Sequence, residues 1–304
     1  MPALKRYIVT TLFCLIIFFP HKSEAQTDSL DLRINEIMAS LDTLAFFDFM
    51  DSLLQFQKPI KSYAVFRTGY TSNIVSSGRD LGTELFGLTQ GAGYYHKSGL
   101  FAEALGYWSK TYEPAYYLTR LSLGFMDMLG ENFTYLLNLD RFIFTPNENE
   151  FFAPPTYNAS AALYFEQGYL GLNTDYSYYF GDFKGHRIFT GANAVLEFDN
   201  VWKIDRIRLF PGVNALLGNQ IITLVQFYPP IRPGVGSLPR YSIEEKNVFG
   251  LMNWSLNFPV SVRKDRYNLF LAYVYNIPVE LPGEELEISN NGFISATFSV
   301  IIGR

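Results

Sequence analysis

Beyond Lys61, apolar and polar positions alternate along the chain. Phe133, Tyr135, Leu137 and Leu139 fall on one side of a two-residue period, with Asn132, Thr134, Asn138 and Asp140 on the other. Tyr267, Leu269, Leu271, Tyr273, Tyr275 and Ile277 form a second stripe. Near the end, Ile294, Ala296, Phe298, Val300 and Ile302 alternate with Ser295, Thr297 and Ser299. Successive side chains of a strand point to opposite faces, so this period predicts strands with one apolar and one small or polar face. The pattern predicts twelve of them, over 62–73, 83–95, 98–109, 114–125, 131–144, 156–166, 169–181, 186–198, 204–227, 246–262, 266–279 and 290–302. Residues 83–95, with Gly87, Gly91 and Gly93, show little contrast between faces. The segment 204–227 could be two strands split at Leu217-Gly218-Asn219, or one strand bent at Phe210-Pro211-Gly212. Splitting it gives thirteen, which the even strand number of single-chain bacterial barrels disfavours; fourteen is the alternative total.

The connections sort by length. The odd-numbered ones include the long stretches 74–82, 145–155, 228–245 and 280–289, whereas the even-numbered ones, 96–97, 126–130, 167–168, 199–203 and 263–265, are all short. Long outer loops and tight inner turns are the habit of outer-membrane barrels. No segment after the leader is long and apolar enough for a membrane helix, and only helices and closed barrels satisfy their backbone groups in lipid. The expected fold class is therefore all-β, a transmembrane antiparallel up-and-down β-barrel of about twelve strands.

Two segments precede it. Leu30, Ile34, Ile37, Met38, Leu41, Leu44, Phe47, Met50, Leu53 and Leu54 recur at helical spacing, which predicts a short amphipathic α-helical segment over 26–58 on the periplasmic side. Its broad apolar stripe suits the barrel rim better than a plug in the lumen. Residues 1–25 read as a cleaved signal peptide: Lys5 and Arg6, an apolar run over 8–19, and small residues Ser23 and Ala25 before Gln26. The domains are thus 1–25, 26–58 and the barrel, 59–304.

Composition narrows the chemistry. Cys14, the one cysteine, lies in the leader, so the mature chain offers no disulfide, cysteine nucleophile or thiolate metal site. Loss of the leader takes the formal charge from −5 to −7, which argues against a nucleic-acid partner. The chain holds 21 Tyr and 28 Phe, and Tyr107, Trp108, Tyr112, Tyr116 and Tyr117 bracket one predicted outer loop while Tyr176, Tyr178, Tyr179 and Phe180 approach another. Tyr and Trp prefer the headgroup level of a bilayer, so these clusters predict an aromatic belt.

On these grounds residues 62–302 resemble the outer-membrane β-barrel proteins of Gram-negative bacteria, through their architecture and the terminal strand 291–302. The resemblance implies an outer-membrane location after export, lipid and the barrel assembly machinery as partners, and a possible periplasmic or surface protein partner. Many such barrels end on an aromatic residue; this chain ends Ile302-Gly303-Arg304, with Phe298 the nearest aromatic.

Enzyme chemistry is not expected. His96-Lys97-Ser98-Gly99 has a His-x-Ser spacing but falls in a predicted inner turn, and His186 has no nearby His or Cys to make a metal site. Gly87, Gly91 and Gly93 lie within a strand without the Lys-Ser/Thr that phosphate binding needs, so they are read as bending the wall; no cofactor is expected. What remains is charge within strands. Arg67, Glu103, Arg120, Asp140, Arg141, Asp175, Glu197, Arg206 and Arg208 are candidates to line the lumen, because mid-depth Arg or Lys facing lipid costs about 2–4 kcal/mol. A hairpin centred between Thr111 and Tyr112 sets Glu103 opposite Arg120, a lumenal ion pair, and Tyr107 opposite Tyr116. Such a lining suits a narrow passive channel for small polar solutes. The alternative is a non-conducting structural or docking barrel that holds a partner by its outer loops or periplasmic helix.

Overall fold

The computed structural model describes residues 61–73, 86–110, 115–145, 155–181, 184–228, 240–282 and 288–303. The predicted signal peptide, the predicted helix and most predicted outer loops lie outside these residues. Among them no helix is long and apolar enough to cross a membrane.

All the regular structure is β. Fourteen antiparallel segments follow in order: β1 (Tyr63–Thr71), β2 (Gly87–Tyr95), β3 (Leu100–Ser109), β4 (Tyr116–Leu129), β5 (Phe133–Phe144), β6 (Pro155–Gln167) and β7 (Leu170–Gly181). Then come β8 (Gly185–Ala194), β9 (Leu196–Val201), β10 (Ile204–Leu209), β11 (Gly212–Tyr228), β12 (Arg240–Lys264), β13 (Tyr267–Pro278) and β14 (Asn291–Ile302). Each of β1 to β7 pairs with the next, β8 pairs with β11, β11 with β12, and β12 to β14 continue the sheet. The first strand closes on the last, from Ala64 opposite Ile302 to Thr71 opposite Ser295. Twelve strands therefore make the closed wall, as the alternation predicts.

The two extra segments extend strands already in it. Leu196 lies opposite Leu209 and Gly212 opposite Asn193, so β8–β9 and β10–β11 are the two arms of one hairpin in a single register. The predicted 204–227 strand is thus one course, interrupted where Pro211 has no N–H to donate. Backbone bonds from Ala194 to the Pro211 carbonyl (2.8 Å) and from Phe210 to that of Pro259 (3.0 Å) carry the ladder across the gap. The arms meet in a two-residue turn, with Trp202 at φ 50 and Lys203 at φ 67, and Trp202 is 90% exposed. The start of β1, the end of β14 and the tight turns share one end of the barrel, the periplasmic one by the rule for this architecture.

Alternation sorts the faces. Phe66, Leu123, Leu137, Leu139, Leu271, Tyr273, Phe298 and Ile302 are exposed on the outside. Their neighbours Arg67, Ser122, Asn138, Asp140, Ala272, Val274 and Ser299 point inward. A soluble protein would bury the first set and hydrate the second. Here the order is reversed.

Three local expectations need correction. The β3–β4 register sets Glu103 opposite Ser122 and Leu105 opposite Arg120, two residues from the predicted pairing, with a bulge at Tyr107/Trp108. A shift of two keeps every side chain on its face. The aromatic clusters divide between faces: Tyr107, Tyr117 and Tyr179 are buried inside with Leu105, Leu118 and Phe142, while Trp108 and Tyr116 pack together at 4.9 Å on the outside. Consecutive strand residues cannot all reach the headgroups. Finally, β12 begins at Arg240 and β11 runs to Tyr228, so both ends of the predicted 228–245 loop belong to the paired arms of a hairpin.

Candidate functional site in the barrel lumen

Lumen-facing side chains define the site. Arg67 on β1 and Glu103 on β3 form an ion pair of 3.0 Å, with side chains only 3% and 6% exposed. They belong to strands separated by β2, where Gly91 faces Arg67 and Gly93 faces Glu103. Those glycines clear the space. A Cβ at Gly93 would lie 3.0 Å from Glu103 Oε1, and one at Gly91 only 2.3 Å from the Ala104 carbonyl oxygen. The Tyr95 hydroxyl completes the cluster, accepting from Arg67 at 2.9 Å and donating to Glu103.

Asp140 is the second centre. Its carboxylate accepts from Ser122 Oγ (2.5 Å), Asn138 Nδ2 (2.8 Å) and Asn158 Nδ2 (3.0 Å). Asp175 faces the same space from β7 and accepts from Ser177 at 3.0 Å. Arg120 is buried on the lumen face of β4. Glu103 and Arg120 thus share a face on adjacent strands, diagonally rather than directly opposed, and Glu103 forms its ion pair with Arg67.

Glu197, Arg206 and Arg208 lie apart from these, on the β9–β10 hairpin at the periplasmic mouth. Arg208 contacts both Glu166 and Glu197 at 2.8 Å, and Arg206 lies 3.3 Å from Glu197 and 3.4 Å from Asp199. Glu166, the last residue of the predicted strand 156–166 and absent from the candidate lining, enters this network from the end of β6. Arg141 corrects the expectation for it: it is exposed on the outer face, as it must be next to the inward Asp140.

Asparagine and serine are the lining residues that charge counting overlooks. Asn253, Ser255, Asn257, Ser261, Asn276 and Ser299 are all buried on the lumen face of β12 to β14. Part of this lane is zipped: Asn253 Nδ2 donates to Asn276 Oδ1 and Asn276 Nδ2 to Asn291 Oδ1, both at 2.9 Å. Part is not. Asn253 Oδ1, Asn257 Oδ1, Ser295 Oγ and Ser299 Oγ are buried without a hydrogen-bond partner, as is Asn173 Nδ2 on β7. The opposite wall carries an apolar layer below the charges, with Tyr63, Val65, Tyr95, Phe101, Met126 and Leu136.

At the periplasmic turn, His96 Nδ1 lies 2.9 Å from Ser98 Oγ and accepts the Ser98 backbone N–H at 3.3 Å. These contacts cap the turn. His186 is the second residue of β8 and stacks on Tyr178 at 4.8 Å.

A closed antiparallel wall with an apolar exterior and polar groups turned inward is the arrangement that crosses a bilayer with strands. The protein is an outer-membrane β-barrel. No family model matches the chain, and no curated protein matches it in sequence. Among solved structures it is similar to a bacterial polysaccharide outer-membrane secretin, with a TM-score of 0.37 at 10% identity over 79% of this chain and 98% of that one. The outer-membrane channel DcaP of Acinetobacter baumannii gives a TM-score of 0.26 at 7% identity over 81% and 99%. The translocator domain of the autotransporter NalP from Neisseria meningitidis gives 0.28 at 11% over 88% and 99%.

Proposed function

We propose that this barrel is a narrow passive channel for small polar solutes in the outer membrane of a Gram-negative bacterium, reached by signal-peptide export, without enzymatic activity. The Asn/Ser lane carries the reading. Buried amides and hydroxyls are nearly always hydrogen-bonded, because an unpaired one costs about 1–3 kcal/mol. The unpartnered atoms of Asn173, Asn253, Asn257, Ser295 and Ser299 therefore call for water or a solute in the lumen. The lane is neutral, and the charges elsewhere are mostly matched, so it favours uncharged polar solutes over ions. A second reading, a non-conducting docking barrel, is favoured by how closely the Asn/Ser lane is covered: its members run from 0% exposure at Ser299 to 9% at Asn291. Planar-bilayer recording of the folded mature chain separates them. Steady small steps with weak ion selectivity are expected, together with swelling of proteoliposomes in small sugars. Silence in both assays contradicts the channel and supports docking.

A further inference from the structure

Arg141 stands on the wrong side of the wall for a charge. It is exposed on the outer face, within a strand rather than beside a turn. It sits three residues before the outer end of β5, roughly 10 Å along the strand from the rim. Exposed Leu121, Leu139 and Ile143 surround it, and among the described residues no carboxylate lies within ion-pair distance. Directly opposite on β6 is Tyr157, whose ring stacks on Phe180 at 5.3 Å. Farther round the rim Tyr178 stacks on His186.

We propose that Arg141, with the Tyr157 hydroxyl, binds the phosphate of an outer-leaflet lipid. An ionisable group at membrane depth needs a partner, and none is provided by the described residues. The guanidinium fork can hold two phosphate oxygens while the Tyr157 hydroxyl donates to a third, a geometry a single ammonium cannot reproduce. The apolar side chains around Arg141 suit acyl chains lying against the wall beneath that headgroup. A soluble anion would gain nothing from them. The arginine's height also fits, since the cost of a charge on the lipid face fades toward the interface. The inference needs only the barrel in its membrane and is independent of conduction.

Native mass spectrometry of the detergent-solubilised mature protein tests it, with phosphorylated lipid A and its dephosphorylated form as probes. The wild type should retain one phosphorylated lipid about tenfold more tightly than the dephosphorylated one. Arg141→Leu should abolish that preference, Arg141→Lys should keep only part of it, and Tyr157→Phe should weaken it severalfold. Heat-modifiable migration checks that each variant folds, and the comparison of the two lipids on the wild type needs no variant. Equal binding of the two lipids, or a preference unchanged in folded Arg141→Leu, overturns the proposal. So does full competition by millimolar inorganic phosphate, which would mark a soluble-anion site.

Discussion

Glu103→Leu should lower the stability of the folded barrel by about 3 kcal/mol, the scale for removing one partner of a buried ion pair. The carboxylate is paired with Arg67 and accepts from the Tyr95 hydroxyl, so its loss leaves a guanidinium and a phenol in a closely covered lumen. Replacing both charges should cost less than replacing one, because the uncompensated cation goes as well. Denaturant unfolding of Glu103→Leu, Arg67→Leu and the double variant in lipid vesicles measures this. Additive losses would mean that the two charges do not act together, and the lumenal cluster as described would be wrong.

Leu123→Arg carries the next largest effect. Leu123 is 61% exposed, near the middle of β4. On a water-facing surface such a change would move stability by no more than about 0.5 kcal/mol. On the lipid face at mid-depth it should cost about 2–4 kcal/mol. Folding yield into vesicles and the unfolding midpoint should both fall. A variant as stable as the parent would place Leu123 in water and undo the assignment of faces.

Much of the wall was legible in the chain because outward and inward residues differ in chemistry. On β13 the row from Tyr267 to Ile277 is apolar throughout, and on β14 serines and a threonine alternate with branched aliphatics, so both strands and their faces follow from period two. Connection lengths supplied the rest, including the choice of one bent course across Pro211. Register was less accessible. The β3–β4 pairing depends on a bulge at Tyr107/Trp108, which no residue type announces. Tyrosine is equally at home in a headgroup layer and a packed interior, which is why Tyr107, Tyr117 and Tyr179 could not be sorted by type. Arg141 was decidable and was missed: if Asp140 points inward, its neighbour cannot. The Asn/Ser lane stayed hidden for another reason. Asn and Ser are also turn formers, so Asn253, Asn257, Asn268 and Asn276 look like ordinary punctuation until two paired strands bring them together.

Closure of the first strand on the last is the claim on which everything else rests, and residues 26–304, free of cysteine, allow it to be tested directly. Thr71 and Ser295 lie opposite each other across the β1–β14 seam, both buried in the lumen. The backbone bond from Ser72 to Ile294 makes 71/295 the closer, non-hydrogen-bonded kind of pair, with Cα atoms about 4.5 Å apart. The double variant Thr71→Cys/Ser295→Cys, folded in membranes and mildly oxidised, should form an intramolecular disulfide. It should migrate as a compact band after heat denaturation, reverting on reduction. A matched pair within one hairpin, Leu271→Cys/Ala296→Cys, serves as the control. If the control closes while 71/295 stays reduced or links separate molecules, β1 does not meet β14, and the chain is not the closed barrel described.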